Sequence, residues 1–342
     1  MNKKLIAMAL STLILVGGVT GCSTSKNTST NKENSKTGQS DNKPLKLDFV
    51  QTSRHDDSVR KFSMTYDKKP EKALAITNCM IEMMLSMGLE DQMAGTAYAE
   101  NNILPSLKSS YDKVPIMSKT HPSKEQLLSN GVDFIISWGG SSFNDKGVGT
   151  IDWLNENKIK AYIPRSGEAN ATIDSIYEDF NNLGIIFGKE DKANEVNNKI
   201  KSELKETTDK IKDVNKKVKV LGYDSGTDKA VVIGKGISNE IISLAQGENI
   251  FGNIDKTYPE VSMEDVIKKN PDVIMVLEYS VGNGGETFEN KVKALKANPA
   301  LKDVNAIKNN KFIKVELTEL YPGERVPKTV KKLAKEFYPD KF

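Results

Sequence analysis

Residues 123–137 read SKEQLLSNGVDFIIS, and residues 262–276 read SMEDVIKKNPDVIMV. Ser123 matches Ser262, Glu125 matches Glu264, Leu127 and Leu128 match Val266 and Ile267, and Asp133 matches Asp272. Each copy reads as a short helix followed by a buried strand. A Ser at the N-cap, with Gln126 or Asp265 three residues on, satisfies backbone N–H groups that the first turn leaves unpaired. The Leu127–Leu128 and Val266–Ile267 pairs supply the buried stripe. The runs VDFIISW and PDVIMVL are continuously apolar and bounded by turn residues, the pattern of parallel strands covered on both faces. Chance agreement between two common helix–strand phrases is the alternative for one such pair taken alone.

Working outward, strand-like and helical runs alternate. ALAI precedes CMIEMMLSMGL, VDFIIS precedes GTIDWLNENKI, and KAYIP precedes TIDSIYEDFNNLGIIFG. From Lys189 to Lys212 the spacing of Ala193, Val196, Ile200, Leu204 and Ile211 among charged residues predicts one long helix. A second series then runs from KVKVLGY through VVIGKG, NEIISLAQG, DVIMVL and KFIKVE to a final helix, PKTVKKLAKEF. The simplest architecture is α/β, with two doubly wound lobes joined by a single long helix and a ligand cleft between the lobes. One copy of the repeated phrase falls in each lobe. The expected boundaries are 44–188 for the first lobe, 189–214 for the linking helix and 215–342 for the second lobe.

The first 43 residues read differently. MNKK is basic, LIAMALSTLILVGGV is an apolar run of 15 residues, and VTGC closes it with small residues. That run is short for a membrane span and fits a secretory leader over residues 1–21. VTGC fits a lipobox, so this start resembles that of a bacterial lipoprotein. Cys22 is then expected to carry palmitate-type lipid as the new N-terminus. An uncleaved signal anchor is the alternative. A disordered tether is expected over residues 22–43, because residues 23–43 contain no apolar side chain and cannot offset chain entropy by burial. They read as a tether of roughly 25 Å mean reach.

Hydrophobic residues make up 37% of the chain, ordinary for a globular protein, and the formal net charge is +3. Loss of Lys3 and Lys4 with the leader leaves about +1, with lysines scattered among acids. No case for nucleic acid follows. With Cys22 lipidated, Cys79 stands alone and no disulfide framework can form.

The stretches KPEKALAITNCMIEMMLSMGLEDQMAGTAY, PSKEQLLSNGVDFIISW and GENIFGNIDKTYPEVSMEDVIKKNPDVIMV, with the lysine-rich linking helix, resemble the class III solute-binding proteins of ABC importers. The resemblance covers most of residues 60–340. It implies a monomeric, non-enzymatic receptor for a ferric siderophore, with haem or cobalamin as alternatives, serving a permease dimer with ATPase subunits in iron uptake. It also implies lipid anchoring on the outer face of a cell membrane, for which the Lys- and Asn-rich composition suggests a Gram-positive source. The positions matching the family's permease-docking acids are Glu125 and Glu264. The competing account makes both simply acids in a helical first turn, favoured by the macrodipole by about 0.3–1 kcal/mol each.

Ligands of open α/β sheets gather beyond the carboxyl ends of the strands. The loops there carry Asn78, Tyr98, Trp138, Arg165, Tyr223, Glu278, Tyr279 and Tyr321, and the aromatics among them form an amphipathic wall able to pack a chelate or macrocycle. Arginine is rare: Arg54, Arg60, Arg165 and Arg325 are the only four among 49 basic residues. Lysine is left to serve the ordinary surface. Arg165 follows a strand directly and Arg325 follows the last strand's loop, so both are candidates to fork onto carboxylate, hydroxamate or catecholate oxygen. Structural ion pairing is the alternative for each. His121 lies near the same rim, as a ligand to iron or corrinoid or as a solvated loop residue. With only His55 besides, a bare transition metal held by several imidazoles is not expected, and no resident cofactor is implied. Met80, Met83, Met84 and Met87 read as core rather than as a metal box. A thiol enzyme built on Cys79 at a helix N-terminus, with His121 as base, and a purely structural surface lipoprotein are the remaining classes.

Overall fold

The computed structural model describes residues 44–52, 59–279 and 286–342. Arg54, His55 and Cys22, with the leader and tether, lie outside the described residues. In the first lobe five short parallel strands, β3 (Ala73–Ile76), β4 (Met93–Ala97), β5 (Ile116–Ser118), β6 (Phe134–Ile136) and β7 (Lys160–Tyr162), form a sheet in the order β5-β4-β3-β6-β7. The first strand is central and the chain winds outward in both directions, as expected for a doubly wound sheet. It is preceded by an antiparallel hairpin, β1 (Leu45–Thr52) and β2 (Val59–Tyr66), that forms a separate two-stranded sheet. No expectation from sequence covered this hairpin, although LKLDFVQT and VRKFSMTY do alternate in the period of two that marks a strand.

The second lobe departs from a purely parallel sheet. Strands β8 (Val218–Ser225), β12 (Val273–Glu278) and β13 (Phe312–Glu316) are parallel neighbours. On the other edge of β8 lie a parallel β10 (Gly247–Asn249) and an antiparallel β9 (Lys229–Val232), which itself pairs with antiparallel β11 (Glu260–Ser262). The turn at Gly226, with φ of 96°, sends VVIGKG straight back along its neighbour instead of through a crossover helix.

The repeated phrase builds the same corner in each lobe. Ser123 caps the helix Lys124–Ser129 in a reciprocal capping box with Gln126, and the Ser262 side chain accepts from the Asp265 amide at the head of the helix Met263–Lys269. Leu127 and Val266 are buried beneath these helices. Leu128 is not part of the buried stripe: it is 50% exposed, because consecutive residues on a helix point about 100° apart, and the matching Ile267 is only partly buried. The matched aspartates do equal work. Asp133 accepts the amides of Glu71 and Lys72 ahead of β3, and Asp272 accepts the amide of Lys219 in β8.

The lobes are joined by the helix Ile173–Phe187, a left-handed Gly188, and the helix Glu190–Ile211. Ala193, Val196, Ile200, Leu204 and Ile211 are buried at the spacing read from sequence. One continuous apolar core runs from the first sheet through this helix to the final helix, Arg325–Phe337, and a second covers the other face of the second sheet. Met80, Met83, Met84 and Met87 are fully inside the first core. Among the described residues no helix is long and apolar enough to cross a membrane.

Across the gap between lobes, Arg325 of the final helix forks onto Glu82 of the helix Asn78–Ser86. Its Nε donates to Oε2 at 2.8 Å and its Nη2 to Oε1 at 2.6 Å. Nη2 also donates to the carbonyl of Asn102 at 2.7 Å, and the side chains are only 13% and 8% exposed. Beside it the Cys79 thiol donates to the Pro322 carbonyl at 3.4 Å. Deleting one member of a buried ion pair strands the other charge. Arg325→Ala is therefore expected to lower unfolding free energy by about 3–5 kcal/mol in urea titrations. A loss below about 1 kcal/mol would show that solvent already reaches the pair.

Candidate functional site

The carboxyl ends of the strands in the two lobes approach one another, and of the residues expected at the cleft Trp138, Glu278, Tyr279 and Tyr321 meet there. Trp138, just after β6, presents its ring edge to face with Tyr321, which follows β13 and the turn Leu317–Leu320; their centroids are 6.0 Å apart at 68°. The Tyr321 hydroxyl donates to Glu100 at 2.9 Å, and the Asn101 amide donates to Glu316 at 2.6 Å. Burial, and then the Glu100 carboxylate, push the Tyr321 phenol far above its ordinary range, so it stays a donor. A small recess of about 20 Å³ lies here, lined by Glu100, Asn101, Glu278, Tyr279, Leu317, Thr318 and Tyr321.

Glu278 at the end of β12 pairs with Lys314 and accepts the amide of Phe288. Burial raises its pKa, but the Lys314 and Phe288 hydrogen bonds outweigh that and hold it below the usual value. Tyr279 donates to Asp224 at 2.6 Å. Beneath it lies Lys291, only 2% exposed, which donates to the carbonyls of Asp224 at 2.5 Å and Leu277 at 2.7 Å, with its ammonium 5.1 Å from the Tyr279 ring centroid. Desolvation lowers its pKa. Lysine is thus not confined to the surface here: one ammonium is spent fixing the cleft floor, something a residue count cannot show.

On the first lobe, Arg165 opens the turn Arg165–Gly167 after β7. Its Nε meets Glu178 at 2.9 Å, and the side chain remains 39% exposed. A Cβ on Gly167 would lie 2.5 Å from the Trp138 ring, so glycine is what lets the indole lie against this turn. Fully buried Asp179 holds the turn by accepting the Arg165 and Ser166 amides, each at 2.9 Å, and the Tyr162 hydroxyl at 2.7 Å. Tyr98 and His121 stack with centroids 5.3 Å apart, and His121 Nε2 lies 3.0 Å from the Ser142 hydroxyl. Desolvation lowers the His121 pKa and favours the neutral ring. Thr77 and Tyr98, at the ends of neighbouring strands β3 and β4, have φ of 77° and 50°. Such backbone is strained for side chains of these shapes and is found where surrounding structure enforces it, often at ligand sites.

Three expected residues are placed differently. Asn78 is fully buried, and its amide is spent on the backbone of Glu100, Asn101 and Asn102, so it shapes the loop instead of lining the cleft. Tyr223 lies in a separate hollow with Met263 and Leu301 and donates to the Gly226 carbonyl, its phenol pushed up to about 12 by burial. Arg325 is committed to Glu82. Cys79 is buried and its thiol is pushed well up, by burial first and then by Glu82 and Asp179, the reverse of an activated nucleophile. Arg60 forms an exposed pair with Asp152. Glu100, Asn101 and Thr318 were not anticipated. The first two directly follow Tyr98 in the same strand-end loop, so extending that loop by three residues would have found them.

The two lobes thus meet strand end to strand end along an aromatic and polar seam. The sequence profile of the family described as periplasmic binding protein matches residues 74–316, and the chain belongs to that family. A crystal structure of a periplasmic binding protein from Veillonella parvula is 32% identical, covers 86% of this chain and 99% of its own, and superposes with a TM-score of 0.77. An ABC transporter substrate-binding lipoprotein of Bacillus subtilis, YvrC, is 23% identical over 84% of this chain and 86% of its own length. The Fe(3+)-citrate-binding protein YfmC of the same organism is 24% identical over 90% of this chain and 88% of its own. The chain is thus a binding protein of this family.

Asp179 gives the site a pH signature. Burial raises its pKa from an ordinary 3.8 to about 6. The folded state therefore binds the proton more tightly than the unfolded one, and this contribution to stability is full below about pH 4 and lost as pH rises through about 6, by up to about 3 kcal/mol. Asp179→Asn removes that dependence. Its cost in urea unfolding is expected to be largest near pH 4 and smaller at pH 7; a deficit that stays constant or grows with pH would contradict this account of the turn.

Proposed function

We propose that this chain is a lipid-anchored receptor, held at Cys22 on the outer face of a Gram-positive cell membrane, that captures a ferric siderophore and delivers it to an ABC permease. The observation that carries the reading is the rim formed by Trp138 and Tyr321 across the lobes, with the part-exposed Arg165 guanidinium on the turn beneath the indole. An aromatic wall suits the organic body of a chelate, and a planar fork suits the anionic oxygens that ligate its iron. Tyr98, His121, Glu278 and Tyr279 complete the lining. Similarity to YfmC, an Fe(3+)-citrate-binding protein, over most of its length supports an iron complex with oxygen ligands.

Glu125 and Glu264 are both exposed at the second position of corresponding helices. The Glu125 pKa is lowered by its own backbone amide and then by Ser123, which keeps it anionic. The proposal assigns both to basic groups on two copies of a permease subunit.

The test titrates purified protein with ferric citrate, a ferric trihydroxamate, a ferric tricatecholate, haemin and cyanocobalamin while following tryptophan emission. One of the three iron chelates is expected to quench saturably, and Trp138→Ala or Arg165→Ala to weaken it by about tenfold or more. Saturation by haemin or cyanocobalamin alone would overturn the chelate assignment. Replacing Glu125 and Glu264 together by Ala is expected to abolish uptake, each lost charge pair costing roughly 1–3 kcal/mol of docking, with ligand affinity within about twofold of wild type. A double variant that loses ligand affinity as badly as Trp138→Ala would place the repeated helices in the binding site instead.

A further inference from the structure

The β1–β2 hairpin belongs to neither lobe's sheet, and nothing in the site as described uses it. Yet Gln51, near the end of β1, reaches into the first lobe. Its Nε2 donates to the carbonyl of Gly139 at 3.0 Å and to that of Phe143 at 2.7 Å. These carbonyls bracket the single-turn helix Gly139–Ser142, whose N-cap is Trp138. A helix of one turn leaves its carbonyls without partners in the helix. Gly139 and Phe143 are buried, so water is a poor substitute for the missing donors. The opposite side of the turn is wedged as well, since a Cβ on Gly139 would meet Ile163 at 2.9 Å. The turn also carries Ser142, whose hydroxyl lies 3.0 Å from His121 Nε2 and 2.6 Å from the Ser137 hydroxyl. His121 in turn stacks on Tyr98.

We propose that Gln51 is a positioning residue for the cleft: its side-chain amide fixes the 139–143 turn and, through that turn, the orientation of Trp138 and of the His121–Tyr98 stack. The importance of this positioning for ligand capture rests on the reading of Trp138 as part of the site. A single amide spans the turn from its first carbonyl to the one beyond its end. Loss of its two N–H groups frees the segment between two expected ligand contacts without removing any apolar core contact. The hairpin thereby gains a role in ligand selection that its place outside both sheets conceals.

The test compares Gln51→Met, which keeps the side chain's length and removes its donors, with Arg60→Ala, which breaks a different polar contact of the hairpin, at Asp152, and does not touch the turn. Both are made in a Trp153→Phe background so that Trp138 is the only tryptophan reporter. For Gln51→Met the Trp138 emission is expected to shift to the red, acrylamide quenching to rise about twofold, and affinity for the bound ferric chelate to fall about tenfold, with Tm within about 2 °C of the parent. Arg60→Ala is expected to leave emission, quenching and affinity unchanged. Unchanged Trp138 emission and quenching in Gln51→Met would overturn the proposal. So would altered emission with unaltered affinity, or equal losses in the two variants, which would mark a merely structural hairpin. If the parent binds none of the iron chelates, the functional reading fails, while the Trp138 signals still decide whether Gln51 positions the turn.

Discussion

The fork of Arg325 onto Glu82 is the contact on which the arrangement of the two lobes depends. It joins the first helix of one lobe to the last helix of the other, next to the cleft and nearly out of water. Such a pair gains little over apolar packing in free energy, but it is demanding in geometry, because two parallel N–H donors must meet two oxygens in plane. Both partners hold further backbone: Arg325 the Asn102 carbonyl, and Glu82 the Leu104 amide at 2.8 Å. The loop carrying Glu100 and Asn101 is thus tied to the same node. The seam of Tyr321 on Glu100 and Asn101 on Glu316 follows from it, as does the meeting of Trp138 with Tyr321. The linking helix reinforces the spacing from behind, where Lys199 pairs with Glu324 and Lys331 with Glu206. The exposed Lys331–Glu206 pair contributes little alone, whereas Glu324 is nearly buried against Lys199.

The two lobes solve the same problem with the same parts. In each, a Ser-capped helix turns its Leu127 or Val266 inward, shows a Glu outward at its second position, and leads through Asp133 or Asp272 into a strand beside the first strand of the sheet. That symmetry concerns the outer face, while the cleft between the lobes is asymmetric. The first lobe offers Trp138, Arg165 and the Tyr98–His121 stack; the second offers Tyr279, Tyr321 and Glu278 over a buried Lys291. The exterior is symmetric in these two helices, and the interior is not.

Much of this was legible in the residues because it depends on local pattern. The 3.6-residue spacing of Ala193 through Ile211 gave the linking helix, the Ser caps gave the starts of the repeated helices, and the continuous apolar runs gave the buried strands. Where sequence reasoning fell short, the deciding contact was distant in the chain. Arg325 looks the same on paper whether it awaits a ligand or meets a glutamate 243 positions away. Asn78 follows a strand and Tyr223 lies near the end of one, but their polar atoms are taken up by the nearby loop and turn. Lys291 resembles its surface neighbours until β8 and β12 place two carbonyls around it. The antiparallel return of β9 was missed because a short apolar run does not state its direction.

The central claim is that buried contacts hold the lobes at one spacing, so that ligand meets a rim already assembled and the cleft closes only slightly. The most direct measurement is the distance between lobes in solution, by spin–spin distance measurement between labels on Leu128→Cys and Lys268→Cys in a Cys22→Ser background, Cys79 being buried. The account predicts the same single narrow distribution with and without a saturating ferric chelate. A second, longer distance in the ligand-free protein that vanishes on binding would contradict it and show a hinged receptor.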